Sequence, residues 1–167
     1  AAGSEPGPQP TASSEAAVPE EPITLTVVYD NNPLDARLRT AWGFACWIEV
    51  GGVTMLFDTG ADGPTLLGNL AALGYNPQEI DIVVISHAHD DHTGGLQALL
   101  DINDHLTVYM PGGFPESLKA RAREQGNLIE VDAPLQIADR VWSLGPMGTS
   151  PVEQSLAIQS SRGLIVV

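Results

Sequence analysis

The sequence contains little cysteine, little positive charge and no long apolar run. Its single cysteine, Cys46, excludes an internal disulfide framework and a cysteine-based zinc finger. No stretch approaches the roughly 18 consecutive apolar residues that a membrane-spanning helix needs, so we expect no membrane span. Seven Lys and Arg residues stand against 21 Asp and Glu residues, which gives a net charge of −14. A field of this sign repels phosphate backbones, so we expect no nucleic-acid partner.

The remaining composition predicts one folded domain behind a linker. Hydrophobic residues make up 43% of the 167 residues, which is enough for one core. The first 22 residues differ, because they hold five of the 13 prolines, four acidic residues and one large apolar residue, Val18. We therefore expect a disordered acidic linker over residues 1–22 and a folded domain over residues 23–167. The linker favours an exported, extracytoplasmic protein whose signal was removed, and a cloning boundary in a disordered tail is the alternative.

The pattern after residue 22 is typical of an α/β fold. Apolar alternation and short apolar runs predict strands over residues 23–28, 44–50, 53–57, 80–85 and 106–110, with further short strands near Leu128, Leu135, Val141, Leu156 and Leu164. Apolar residues at helical spacing predict helices over residues 65–73, 95–102 and 115–124. This mixture indicates a sheet that carries helices. Residues 163–167 are a strongly apolar strand at the end of the chain, which predicts truncation.

Three of the four histidines fall in one short segment, which reads His87-Ala88-His89-Asp90-Asp91-His92. The segment follows an apolar strand, where ligand sites of α/β folds gather. Residues two apart in an extended loop point the same way, so His87 and His89 can share one cation. Asp91 and His92 come from the following turn and can face a second cation. Imidazole nitrogens with one carboxylate suit Zn²⁺, and Mn²⁺, Fe²⁺ and Co²⁺ are alternatives.

This segment resembles the metal loop of the metallo-β-lactamase-fold hydrolase superfamily. The resemblance is carried by the H-x-H-x-D-H residues, by Thr93-Gly94-Gly95 after them and by Leu56-Phe57-Asp58-Thr59-Gly60 before them. It implies an αββα sandwich whose second half is largely missing from this chain. Shorter segments are similar to the branch of dihydropterin-ribofuranosyl-aminobenzene phosphate synthases, namely Trp42-Gly43-Phe44, Glu49 and Glu153-Gln154-Ser155-Leu156.

The resemblance implies a metal-dependent hydrolase that acts on a small molecule with two divalent ions, zinc above all. His87 and His89 would bind the first ion, and Asp91 and His92 the second. A hydroxide held by the ions would attack an ester, lactone, thioester, amide or phosphoester. Asp91 would also orient that hydroxide as a catalytic residue. Asp58 would accept a hydrogen bond from a ligand imidazole and fix its orientation.

Other residues have more than one interpretation. Trp42 and Phe114 are candidates for the wall of a substrate pocket, although Phe114 also suits packing at the entry of a helix. Asp90 is expected to be a solvated charge, and His105 a surface residue of a polar turn. Cys46 lies in an apolar run and is expected to be a small buried residue.

The resemblance also implies parts that the sequence does not contain. One further histidine would join each ion from the second half of the fold, and neither is present in the 167 residues. We expect the sheet opposite the first to be largely missing, which would leave an apolar face uncovered. A second polypeptide that supplies the carboxyl-terminal half would explain this, as would a longer product of the gene. The alternative is a non-catalytic half-domain or binding module with an incomplete metal site.

Overall fold

The computed structural model describes residues 22–167, so the linker expected over residues 1–22 lies outside the described residues except for Pro22. The strands are β1 (Thr24–Tyr29), β2 (Ala45–Val50), β3 (Val53–Phe57), β4 (Ile82–Val84), β5 (Thr107–Pro111), β6 (Asn127–Val131), β7 (Leu135–Ala138), β8 (Val141–Ser143), β9 (Leu156–Ser160) and β10 (Gly163–Val166). The helices are α1 (Gly63–Leu73), α2 (Asp90–Thr93), α3 (Leu96–Leu100) and α4 (Glu116–Gln125). A short 3₁₀ turn spans Pro77–Glu79.

The first sheet has six strands in the order β1-β2-β3-β4-β5-β6. β1, β2 and β3 are antiparallel, and the turn between β2 and β3 is formed by Gly51 and Gly52 with positive φ angles of 57° and 75°. β3 to β6 are parallel, because crossovers that contain helices connect them. The carboxyl ends of β3 and β4 therefore meet at one edge, which brings the residues after Phe57 beside the histidine segment.

The second sheet has four antiparallel strands in the order β10-β9-β8-β7. Its residues Val141, Leu156 and Ile158 are fully buried in one cluster with Ile48 and Met55 of the first sheet. The expectation of a largely missing sheet and an uncovered apolar face is corrected here, since four short strands cover that face. These strands are only three to five residues long, yet their alternating apolar residues suffice to close the core.

The helices of the described residues pack on the opposite face of the first sheet. Leu66 and Leu70 of α1, Leu99 of α3 and Ala122 of α4 are buried in one cluster with Val83 of β4. No helix follows α4 within residues 22–167. The described part of the chain therefore has three layers, one of helices and two of sheet, and the fourth layer of an αββα sandwich is not among them.

Two further expectations concern single features of the chain. Cys46 is buried, and burial raises the pKa of its thiol to about 11, so it is the inert core residue that the sequence predicts. Among the described helices, none is long and apolar enough to cross a membrane.

Candidate metal centre

The histidine segment leaves the end of β4 and turns directly into α2. His87, Asp91 and His92 each place one donor atom within 4.8 Å of the others. The ring centroid of His87 lies 4.0 Å from that of His92 and 4.6 Å from that of His89. Three donor side chains of the motif therefore meet at the carboxyl edge of the first sheet, and the ring of His89 lies beside that of His87.

The grouping differs from the pairs that the extended-loop argument predicts. His87 groups with Asp91 and His92, whereas His89 is exposed and lies beside His87 outside this group. The cause is α2, which begins immediately after His89 and turns Asp91 and His92 back towards His87. The backbone N–H of His92 donates to the carbonyl of His89 at 3.0 Å, which closes this turn. The division of ligands between one or two ions stays a prediction.

Asp58 lies behind the histidines as a buried acceptor. It follows β3 and receives bonds from Ser86, whose backbone N–H lies 2.7 Å from Oδ1 and whose Oγ lies 2.6 Å from Oδ2. His92 Nδ1 lies 2.7 Å from Asp58 Oδ2. Because a carboxylate can only accept, His92 carries its proton on Nδ1, and its Nε2 is free for a metal. This is the contact that the resemblance implies for Asp58.

Ser86 fixes the position of the imidazole proton of His87 in a similar way. Its only hydroxyl proton is donated to Asp58, so Ser86 Oγ can only accept from His87 Nδ1, which lies 2.9 Å away. His87 therefore also has its proton on Nδ1 and an unprotonated Nε2. One buried carboxylate thus fixes the tautomer of two imidazoles, and this fits a site for a divalent ion. The sequence analysis missed Ser86, whose only signal is its position directly before His87.

The electrostatics of the two histidines differ. The hydrogen bond with Asp58 raises the pKa of His92, and the negative charges of Asp58, Asp91 and Glu153 act in the same direction. Burial lowers the pKa of His87, and the neighbouring His92 lowers it further. Glu153, which the sequence analysis names only within the segment similar to the dihydropterin branch, also raises the pKa of His87 through its charge. The negative charges of Asp58, Asp91 and Glu153 around the imidazoles favour the binding of a cation.

Close backbone contacts hold the metal loop against the segment after β3. The backbone N–H and hydroxyl of Thr59 donate to the carbonyl of His92 at 2.8 and 2.9 Å. A Cβ atom on Gly94 would lie 2.0 Å from the carbonyl oxygen of Ala61, and one on Gly95 would lie 2.2 Å from that of Thr59. Only glycine permits this approach, which explains the Thr-Gly-Gly sequence after His92.

The two pocket candidates have different surroundings. Trp42 is 72% exposed and precedes Gly43, on which a Cβ would lie 2.3 Å from the carbonyl oxygen of Asp91. The backbone next to Trp42 therefore lies against the metal loop, and its role as a pocket residue stays a prediction. Phe114 is 5% exposed and packs in the core under the helices, so almost none of its ring is open to a substrate.

The remaining polar candidates lie at the surface. Asp90 and His105 are both exposed, in agreement with the sequence analysis. A separate cavity of about 360 Å³ lies between β1, α1 and the loop after β1, and none of its lining residues belongs to the metal loop. The donor chemistry of the loop, and not the volume of that cavity, identifies the candidate site.

Comparison with known proteins places this geometry in context. The profile of the Metallo-beta-lactamase superfamily matches residues 43–158, which include Asp58, Ser86 and the histidine segment. A 7,8-dihydropterin-6-methyl-4-(beta-D-ribofuranosyl)-aminobenzene-5'-phosphate synthase of Methanocaldococcus jannaschii is 36% identical over 69 residues, which cover 40% of this chain and 24% of that protein. The matched part of the chain thus spans about a quarter of the length of that curated relative.

Two solved structures share the fold at low sequence identity. A quorum-quenching N-acyl homoserine lactone lactonase has a TM-score of 0.61 at 18% identity, covering 88% of this chain and 72% of that one. The short form of human tRNase Z has a TM-score of 0.59 at 18% identity, covering 86% of this chain and 67% of that one.

Proposed function

Because this chain belongs to the metallo-beta-lactamase superfamily, a family of metallo-hydrolases, we propose that it forms the amino-terminal part of a metal-dependent hydrolase. One observation carries the proposal. Donor atoms of His87, Asp91 and His92 converge within 4.8 Å, and the Nδ1 atoms of both imidazoles are already bonded to Ser86 and Asp58. The Nε2 atoms are thereby left for a divalent ion.

The residues fit a zinc-type ion. Two imidazoles and a carboxylate give three protein ligands, which is the number that catalytic zinc sites use when one position stays open for water or substrate. His89, beside His87, is a fourth donor that a second ion would recruit. Manganese and iron suit the same ligands, so the identity and number of the ions belong to the proposal.

The roles of the residues follow from their chemistry. A divalent ion bound here supplies a water of lowered pKa and polarises the scissile carbonyl or phosphoryl oxygen. His87 and His92 would hold the ion, and Asp58 keeps both in the binding tautomer. Asp91 would be a further ligand, and its carboxylate could accept a hydrogen bond from a water and so orient it. Trp42 offers an apolar surface to the substrate beside the metal loop.

We propose a small ester, lactone, thioester, amide or phosphoester as the substrate. The lactonase named above is a structural neighbour that acts on a small lactone, and this supports the choice. The tRNase Z neighbour argues for an RNA substrate instead. The net charge of −14 disfavours a polyanion, so we place RNA second.

The experiment replaces His87 and His89 of the metal motif and compares this double variant with one that changes the surface histidine His105. His87→Ala combined with His89→Ala should abolish zinc binding and hydrolysis together, whereas His105→Ala should change neither. Zinc content is measured by mass spectrometry of the metals. Hydrolysis is measured with p-nitrophenyl acetate, an acyl homoserine lactone, bis-p-nitrophenyl phosphate and a precursor tRNA. Turnover that survives the double substitution would overturn the assignment, and zinc binding without turnover of any substrate would favour the binding module.

A second polypeptide that completes the fold is part of the same proposal. Native mass spectrometry of the material isolated from its source weighs the chain, its ions and any partner at once. A 17.6 kDa chain with a second polypeptide and metal ions would support a complete enzyme. A lone chain without metal would support the non-catalytic alternative.

A further inference from the structure

A buried glutamine just before β9 holds the start of the metal loop. Gln154 lies just before β9 and is 1% exposed. Its backbone N–H donates to the carbonyl of Ser86 at 2.8 Å. Its side-chain Nε2 donates to the carbonyl of Ile85 at 2.8 Å and to that of Tyr109 at 3.3 Å. The carbonyl of Tyr109 also accepts from the backbone N–H of Ile85 at 3.0 Å, so the Gln154 amide joins both carbonyls at the point where the pairing of β4 with β5 ends.

The orientation of the Gln154 amide is fixed by its surroundings. The backbone N–H of Gly145 donates to Ser143 Oγ at 3.1 Å, which leaves the hydroxyl proton of Ser143 for Gln154 Oε1 at 2.7 Å. Nε2 must face Ile85 and Tyr109, because carbonyl oxygens can only accept. Every polar atom of this buried side chain is bonded, so its removal would leave several buried groups without partners.

We propose that Gln154 is a positioning residue for the metal centre and that it acts through Ser86. Ser86 is the residue whose hydroxyl joins Asp58 to His87. The Gln154 side chain holds the carbonyl of Ile85, the residue directly before Ser86, so loss of this side chain would move the Ser86 backbone and disturb the bonds that set both imidazoles. The predicted effect of Gln154 on metal affinity rests on the proposed function. Its predicted effect on the order of residues 85–93 does not, because that order can be measured in the metal-free chain.

The chain offers a matched control at the other end of β4. Asn103 is also buried, and its Nδ2 donates to the carbonyls of Ile80 at 2.9 Å and Pro77 at 3.1 Å, which precede β4. Its Oδ1 accepts from the backbone N–H of His105 at 3.2 Å. Gln154→Met and Asn103→Leu thus each remove one buried amide of similar bonding and keep the side-chain volume.

Three measurements on the full chain separate positioning from general stability. Urea unfolding reports stability, amide hydrogen exchange of residues 85–93 in metal-free protein reports loop order, and competition with a chromophoric chelator reports zinc affinity. Both variants should lower the urea midpoint. Only Gln154→Met should speed exchange of residues 85–93 by about ten-fold and weaken zinc binding by about ten- to one hundred-fold, as for other residues behind metal ligands.

Each outcome decides the inference. If Gln154→Met changes exchange and zinc affinity no more than Asn103→Leu does, Gln154 is structural and the inference is wrong. If the wild-type chain binds no zinc, the proposed function fails, and hydrogen exchange of residues 85–93 alone decides the role of Gln154. If Gln154→Met does not fold, Ser143→Ala removes only the Oε1 partner and should give smaller changes in the same direction. Unchanged exchange in Ser143→Ala would then overturn the inference.

Discussion

At the scale of single residues, Asp58 is the group on which both imidazoles depend. Its φ angle is 59°, and a left-handed conformation costs a non-glycine residue about 1–2 kcal/mol. The cost is offset because its carboxylate accepts three bonds in a buried place, two from Ser86 and one from His92. A strained residue with this many partners at a candidate site indicates a functional constraint on the backbone.

Asp58→Asn tests this dependence with little change in shape. Asparagine tolerates the left-handed conformation, so the backbone should stay in place. Its amide N–H₂ would face a donor of Ser86 or His92, so the tautomers of His87 and His92 would no longer be fixed. Zinc affinity by chelator competition should fall by about ten- to one hundred-fold.

The control is Asp81→Asn, which removes a carboxylate that accepts from the backbone N–H of Thr54 away from the loop. Wild-type affinity in Asp58→Asn, with unchanged imidazole ¹⁵N shifts, would contradict the role of Asp58.

At the scale of elements, the sequence predicts most of the first sheet and all of the larger helices. β2, β3 and their Gly51-Gly52 turn follow from local alternation and turn chemistry, and α1 follows from leucine spacing and Gly74. The packing of β7–β10 onto the first sheet could not be predicted, because it depends on contacts between residues far apart in the chain. One buried cluster, for example, joins Val141 and Ile158 to Ile48 and Met55.

For the candidate site as well, some residues can be predicted from a local sequence motif, whereas others are brought in only by contacts between distant parts of the chain. The motif identifies His87, His89, Asp91 and His92, since their spacing alone points to a cation. It does not identify Gln154, because 69 positions separate this residue from Ile85 and only the folded sheets bring them together. The turn that α2 makes after His89 has no sequence signal either, since a helix this short has no periodic pattern.

The carboxylate that caps the start of α1 should make the free energy of unfolding depend on pH. Asp62 precedes α1 and accepts from the backbone N–H of Thr65 at 2.7 Å and from the hydroxyl of Tyr29 at 2.9 Å. Loss of a helix cap of this kind costs about 1 kcal/mol, so Asp62→Ala should lower the free energy of unfolding by about that amount at pH 7. Urea denaturation measures this difference, and Asp104→Ala, in an exposed turn, is the control.

The sign of the pH dependence follows from the pKa of Asp62. The bond from the Thr65 N–H lowers this pKa from its ordinary value of 3.8. The stabilisation is therefore fully present above pH 3.8 and is lost as the pH falls through the lower, folded-state pKa. The stability difference between wild type and Asp62→Ala should shrink in acid. A difference that stays constant down to pH 2 would show that the charge of Asp62 plays no part.

At the scale of the whole molecule, the described layers leave one sheet face open. Ile165 of β10 packs inward against the first sheet, so its neighbours Leu164 and Val166 point to the other side, where they are 69% and 63% exposed. Exposed apolar residues on a strand at the edge of a sheet promote association. The net charge of −14 opposes it, because like charges keep the chains apart.

The exposed apolar residues of β10 and the negative net charge together predict that self-association of the chain depends on salt concentration. Salt screens the repulsion, with a Debye length of about 10 Å at 0.1 M and about 3 Å at 1 M, while the apolar contact persists. The 167-residue chain should therefore associate more at 1 M than at 0.1 M salt in sedimentation velocity. Leu164→Lys combined with Val166→Lys should abolish this increase. Leu34→Lys, which replaces a leucine that is 96% exposed in the loop after β1, should leave it unchanged. Equal effects of the loop and sheet substitutions would mean that added positive charge, and not the open face of the second sheet, controls association.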